Sequence, residues 1–449
     1  MNDENAADLA KKKEKEQEKA ARLLKVGQFL PFGLFGSRYL RKFPKITVPA
    51  SDTEYLVAQE HSDADEASLF ERIARAFVKD TSELDALSGS TQPEFQDPHW
   101  GHTTGFVHGK LAIDNIAALP EQFRLGLFQQ NREYDVICRP NFLYKEDPRI
   151  AISRLSVKLK YPEAVPNVYA ESGTANELDL LLSEGLRKDL HGDQDGQGFF
   201  FRDARQMSML QDMETGVSKK LMVLLNSVSG KVLVKWKTIF DQNTDNLYVP
   251  AQSNRGCFEK HYFSAGPYAL GEGAMKFSLK PIAEPASVSA QPIAQYPAID
   301  QKNSLLEWAQ AGRNAEFEIC VQIATPESIP QPQDGDPPVE VMAAEYADIA
   351  WDESKAPFVA VGKLTLVAGS PAENQPQDRW YLPHDDRWYS EDAQNYAVRF
   401  NAWNTFAETR PLGQLFRARK SVHALHREAR LKHSFGLTPR AGSRCPFSS

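Results

Sequence analysis

Residues able to do chemistry are few in this chain, and they are scattered. His99 and His102 sit in DPHWGHTTG, Arg139 in CRPNF, and Arg419 and His423 stand four apart in the basic run RARKSVHALHREARLKH. An imidazole titrates near neutrality and can move a proton between two oxygens within hydrogen-bond reach. A guanidinium fork matches a carboxylate bidentately. On a helix, residues i and i+4 share a face, which would set Arg419 and His423 side by side. Each group also has an ordinary reading: histidines at loop turns, a surface-paired Arg139, a solvated basic helix carrying His423, His426 and His433. The basic run also suits an anion or a partner. His384 lies between carboxylates in DRWYLPHDDRWYSED (378–392), but without metal-ligand spacing, and the segment reads as a surface loop packing Trp380 and Trp388. No GxGxxG follows a strand, and GxxxxGK[ST], HExxH and GxSxG are all missing.

The elements that must position these residues are mostly strands. The chain has 449 residues, of which 41% are hydrophobic and 25% charged, within the globular range and incompatible with wholesale disorder. With 52 basic against 60 acidic residues the net charge is −8, which argues against a nucleic-acid binder. Cys138, Cys257, Cys320 and Cys445 are widely spaced and form no CxxC, so neither a disulfide framework nor a structural zinc site is expected. No apolar run is long enough to span a membrane and the N-terminus is charged throughout, so a cytoplasmic protein is expected.

Residues 5 to 26 favour a helix that reads as a solvated arm or, joined to GQFLPFGLFG (27–36), as an apolar foot suited to a partner protein, a second copy or a membrane surface. Helical spacing recurs over 54–87 through Leu69, Ile73, Ala76 and Phe77. In GFVHGKLAI, Val107, Leu111 and Ile113 alternate with Phe106, His108, Lys110 and Ala112, apart from Gly109, as in a half-buried strand. YDVICRPNF, ISRLSVKLKY, KLMVLLNSV, KVLVKWKTIF, AMKFSLKPI, AEFEICVQIA and FVAVGKLTLV add further strands. Many strands with few intervening helices predict an α+β fold with an antiparallel sheet curled toward a barrel. Residues 282–302 and 325–339 predict extended surface linkers, and SVHALHREARLKH a C-terminal helix. The expected organisation is an arm over 1–50, a barrel domain with C-terminal helices over 51–432, and a disordered tail over 433–449.

The order of the motifs carries a resemblance. GFVHGKLAI, LPEQFRLGLF, YDVICRPNF and ISRLSVKLKY are followed by GFFFRDARQM, YFSAGPYALGEGAMKFSLKP, WDESKAPFVAVGKLTLV and FNAWNTFAETRPLGQLFRARKSV. Over about residues 95 to 432 this resembles the catalase superfamily, in particular its short bacterial members related to allene oxide synthases. RPLG…RARKSV and FFFRDA are the most specific pieces. The resemblance implies an antiparallel β-barrel with flanking helices and haem b buried between them. It also implies a distal His and Asn on one face of the iron, and a Tyr in Arg-x-x-x-Tyr on the other.

At each chemical position the chain departs from that pattern. His423 replaces the Tyr four residues after Arg419, and an imidazole is itself a competent haem ligand. The distal His position is Trp100, flanked by His99 and His102, either of which could handle the peroxide proton. The distal Asn has no counterpart. The segment before FFFRDA, DLLLSEGLRKDLHGDQDGQG, offers Ser183, Glu184, Asp193, Gln194 or Asp195 and reads as a surface loop. Arg139 matches the residue that pairs with a haem propionate. Lys158 matches by pattern only, with no chemistry assigned. Two functions follow from the resemblance: a haem-binding oxidoreductase acting on hydrogen peroxide or an organic hydroperoxide, or a haem-free fold serving as a binding or scaffolding subunit.

Overall fold

A strand such as ISRLSVKLK can bury only alternate side chains against one core, and the edges of a sheet built from such strands must be paired or covered. Here the sheet closes on itself. The computed structural model describes Phe43 and residues 54–87, 96–97, 101–103, 106–143, 152–163, 176–184, 197, 199, 202–205, 207–208, 256–282, 307–308, 311–332, 336–368 and 400–432. The chain divides into two units, Met1–Pro44 and Lys45–Ser449, and apart from Phe43 the described residues belong to the second. The expected helix over 5–26, the apolar foot, the strands KLMVLLNSV and KVLVKWKTIF, the loop 378–392 and the tail from 433 lie outside the described residues.

The described strands are β1 (Gln96–Asp97), β2 (Gly101–Thr103), β3 (Val107–Ile113), β4 (Arg132–Leu143), β5 (Ile152–Lys160), β6 (Glu177–Glu184), β7 (Tyr262–Ser264), β8 (Tyr268–Leu270), β9 (Gly273–Pro281), β10 (Ala315–Ile323) and β11 (Val359–Leu366). Eight of them close an antiparallel barrel in the order β3-β4-β5-β6-β7-β9-β10-β11, with β11 pairing back onto β3. The expected barrel is thus observed. Strands β1 and β2 extend it beside β4, and β8 pairs with β9.

Leu155, Val157 and Leu159 on β5 face the core with Val107, Leu111 and Ile113 on β3, all at most 1% exposed. Phe277, Phe317 and Leu364 on β9, β10 and β11 join the same apolar cluster, as the filled interior of an eight-stranded barrel requires. Gly109 breaks the alternation for a steric reason. A Cβ there would lie 2.3 Å from the Thr365 carbonyl oxygen, and one at Gly362 would lie 2.0 Å from that of Ala112. Strands β3 and β11 meet too closely for side chains at those points.

Three helices are described: α1 (Glu66–Leu87), α2 (Val339–Glu345) and α3 (Gln414–Lys432). None of the described helices is long and apolar enough to cross a membrane. In α1, Leu69 and Ile73 of the expected pattern are buried together with Phe70 and Ala74, while Ala76 is half-buried and the Phe77 side chain lies outside the described residues, and α1 packs against α3. The expected linker 325–339 is only partly a linker, because Ser328 and Ile329 are buried and the Thr325–Ser328 hydrogen bonds cap a short turn. The RPLG motif sets the start of α3. Gly413 has φ +88°, and a Cβ on it would stand 2.5 Å from the Ala344 carbonyl oxygen at the end of α2.

One arginine ties these helices together. Arg417, in the first turn of α3, contacts Glu66 of α1 at 2.8 Å, Glu345 of α2 at 3.1 Å and Glu60 at 2.9 Å, and donates to the His61 carbonyl at 2.8 Å. Gln414 adds a 3.0 Å bond to Glu66. Glu345 is fully buried, so its charge depends on this guanidinium. Replacing Arg417 with Ala should therefore cost about 3–5 kcal/mol, the usual penalty for stranding a buried partner. Urea unfolding at pH 7 measures it, and a loss below 1 kcal/mol would show that the clamp does not hold the helices.

Candidate functional site

The outward side chains of β4, β5 and β6 are mostly polar, as expected of a solvated face; Glu133 and Asp135 are exposed, but the later part of that face on β4 and its neighbours on β5 and β6 are covered. Arg139 is 4% exposed, Asn141 1% and Lys158 0%. Register places them together, with Arg139 opposite Ser156, Asn141 opposite Arg154, Arg154 opposite Ser183, and Lys158 opposite Asp179. The cover comes from α3, from residues 400–404 and from Phe199, which all come much later in the chain or follow a long connection.

At one end of this face lies an ion group. Lys158 Nζ sits 2.7 Å from Asp179 and 3.0 Å from Glu177. Asp179 also accepts from the Asn401 backbone at 3.0 Å and from the Asn404 amide at 2.6 Å. Burial pushes the Asp179 carboxyl up, against the pull of Lys158 and these donors. Trp403, in the same FNAWN motif, donates its indole N–H to the Phe416 carbonyl of α3 at 2.9 Å. The motif thereby joins the charged end of β6 to α3.

Beside this group is a cavity of about 30 Å³, room for roughly two water molecules. Arg139, Arg154 and Arg419 bring three guanidinium-bearing side chains to its wall, with Asn141, Ser156 and Ser183 as neutral polar groups and Phe199 and Phe400 as apolar ones. No carboxylate belongs to the described lining. The Arg139 guanidinium lies 4.9 Å from the Phe400 ring centre, and that of Arg419 lies 4.7 Å from Phe199 and 5.1 Å from Phe416. Nε of Arg139, Nε of Arg154 and Oδ1 of Asn141 are buried atoms without a hydrogen bond among the described residues, although each of these residues has other interactions.

Of the residues singled out from sequence, Arg139 and Arg419 meet at this cavity. His423 is buried one turn further along α3 and is not among the described lining residues. His102 belongs to β2, whose next residue, Thr103, pairs with Asn141 of the cavity strand; its side chain and the whole of His99 lie outside the described residues. Arg154, Ser156, Phe199 and Phe400 were not anticipated. The segment DLLLSE, expected in a surface loop, is instead part of β6, and Ser183 and Glu184 are buried. Both faces of β6 are covered, although Leu178, Leu180 and Leu182 still alternate with Glu177, Asp179 and Ser183 along it.

A porphyrin needs about 3.5 Å of van der Waals distance on each face, roughly 7 Å in all. Arg419 instead lies directly on Phe199, at 4.7 Å from the ring centre. A space of about 30 Å³ holds no tetrapyrrole. Haem does not fit these residues as they stand. Among the described residues, no group of three or more His, Cys, Asp or Glu could hold a metal ion either.

Two further lysines are buried. Lys260 bonds Ser153 at 2.7 Å and Glu184 at 3.1 Å, and burial lowers its pKa while raising that of Glu184. Lys276 donates to the Ile349 carbonyl and lies 4.8 Å from the Trp351 ring centre. Cys138, Cys257 and Cys320 are buried free thiols.

No protein-family model matches the chain, and no curated protein matches it. Solved structures similar to it are catalases. A fungal catalase shares 14% identity at a TM-score of 0.47, over 82% of this chain and 65% of its own. This chain thus spans a little under two thirds of that relative's length. Catalase A from Saccharomyces cerevisiae shares 13% identity at 0.44, over 91% and 74%. A bacterial catalase shares 11% at 0.41, over 90% and 70%. Likenesses of this size say nothing of activity, cofactor or assembly.

Lys276 yields a pH prediction. Burial pushes its ammonium down to about 7, against about 10.4 for an unfolded lysine. The folded state disfavours the charged form, so the full penalty applies below pH 7 and fades as pH rises toward 10.4. Between pH 7 and 10 the stability of the wild type should rise faster than that of Lys276→Met, by up to about 1.4 kcal/mol per pH unit. Urea unfolding across that range measures both slopes, and equal slopes would show that Lys276 is not a buried titrating cation.

Proposed function

We propose that this chain is a haem-free, catalase-like barrel that serves as a binding or scaffolding subunit. The observation that supports it most directly is the Arg419–Phe199 contact, 4.7 Å from the ring centre, at the wall of a cavity of only about 30 Å³. The sequence agrees: His423 replaces the proximal Tyr, Trp100 stands at the distal His position, and the distal Asn has no counterpart. Engagement of a partner protein or a second copy through the 1–50 arm belongs to the same proposal.

A second reading has one observation in its favour. Arg139 and Arg419, matched to the resemblance separately, come from distant parts of the chain to the same cavity. In that reading the protein binds haem b through His423, with His99 or His102 serving a hydrogen peroxide or organic hydroperoxide substrate.

Absorption spectroscopy separates the two. Purified protein titrated with haem should develop no Soret band at one haem per chain, and peroxide consumption should not exceed that of free haem. A stoichiometric band that shifts or vanishes in His423→Ala would establish the second reading instead.

A further inference from the structure

We propose that residues 348–357, between α2 and β11, form a pH-gated strap over the outside of the barrel, closed while Lys276 is a neutral amine and released when it becomes an ammonium. The inference does not depend on whether the chain binds haem, since no strap residue is among the described lining of the arginine cavity.

Both ends of the strap are fixed. Ala347 donates to the Arg202 carbonyl at 3.0 Å and its own carbonyl accepts from the Phe199 amide at 2.8 Å, while Val359 begins β11. Between these ends lie two pegs and an arch, with Trp351 and Ala356 buried and residues 352–355 exposed. The pegs rest on a cross-strand pair, Lys276 of β9 and Gln322 of β10. Gln322 Nε2 donates to the Trp351 carbonyl at 3.3 Å and to the Ala356 carbonyl at 2.8 Å. Lys276 Nζ donates to the Ile349 carbonyl and stands 4.8 Å from the Trp351 ring centre.

This joint suits an amine better than an ammonium. An ammonium carries three N–H donors. Lys276, only 1% exposed, has a single hydrogen-bond acceptor and no ion pair among the described residues. Trp351 Nε1 and Gln322 Oε1 are also buried without a hydrogen bond among the described residues, so opening the joint to water breaks few bonds and satisfies several groups. Burial accordingly pushes Lys276 down to about 7.

Charges on the neighbouring elements are engaged elsewhere. Asp348 is paired with Arg202 at 3.1 Å, Glu353 accepts from Gln197, and Asp352 and Lys355 stand on the exposed arch. On β10, burial pushes the Cys320 thiol up to about 11, and Glu318 lies opposite Lys280 of β9. His261 packs on Phe263 and Phe358 near the β11 end of the strap.

The sign of the response follows. In the open strap Lys276 returns toward about 10.4, the value of a hydrated lysine. The open population should therefore rise as pH falls from about 10 to 7, by up to about tenfold per unit, and level off below.

Hydrogen exchange followed by mass spectrometry on the full-length protein from about pH 6 to 9, corrected for the intrinsic exchange rate, reads this directly. The reporters are the amides of Trp351, Asp352 and Ala356, which donate to Gln197, the Ser328 carbonyl and the Asp352 carbonyl. They should exchange at least about tenfold faster than those of β3, and faster still with each unit of acidification toward pH 7. In Lys276→Met the same amides should stay protected and lose the pH dependence. If that variant does not fold, Lys276→Gln, neutral at every pH, replaces it with the same expectation. Strap amides as slow as those of β3 would mean that only global unfolding releases them, and would overturn the strap. A wild-type response that is flat with pH, or one that survives in the variant and so belongs to another group such as His261, would overturn the role of Lys276.

Discussion

Laying α3 and residues 400–404 over β4, β5 and β6 takes water away from much of a polar strand face. Lysine, carboxylate and guanidinium groups that would ordinarily be hydrated are then enclosed, and each must find a partner or pay the desolvation cost. Lys158, Asp179 and Glu177 answer this with direct contacts of 3.0 Å or less. Asp179 is also where the FNAWN motif attaches, through Asn401 and Asn404, and the same motif holds α3 through Trp403 and Phe416. Charge burial and helix docking are therefore a single construction. Loss of Asp179 would leave Lys158 to Glu177 and detach the segment that keeps it dry.

Similar logic recurs at two other places. Arg417 gathers carboxylates from Glu60, Glu66 and Glu345, so that the ends of three helices meet on one cation. Lys260, Glu184 and Ser153 form a buried polar group that links β5 and β6 to the approach of β7. Buried ion groups of this kind contribute little net stability compared with apolar packing, yet they penalise every arrangement that separates their members. Stability comes mainly from the filled barrel, with Phe277, Phe317 and Leu364 in its apolar cluster. The ion groups select which helix lies where.

For function, the important feature is which parts of the resemblance persist together. Arg139 and Arg419 converge on one cavity, whereas His423 does not line it among the described residues.

Period-two alternation was enough to read β3, β4, β5, β9, β10 and β11 from the sequence, since each has one apolar face whose residues recur at every second position. It did not reveal β6, whose Leu178, Leu180 and Leu182 do alternate with polar residues but run straight into the polar stretch after Glu184 and read with it as a loop, and β7 and β8 are too short to show a period. Closure into a barrel followed from the number of strands and the scarcity of helices between them. Arg139 and Arg419 were legible because they lie in ordered motifs. Arg154, Ser156 and Ser183 were not, since alternation says only that they face away from the barrel core. Whether water or protein lies on that other side depends on α3 and the 400–404 segment, more than two hundred residues further along the chain and brought there by packing. The sequence determined which residues share a face, and only the tertiary structure decided that the polar face would be sealed into a cavity.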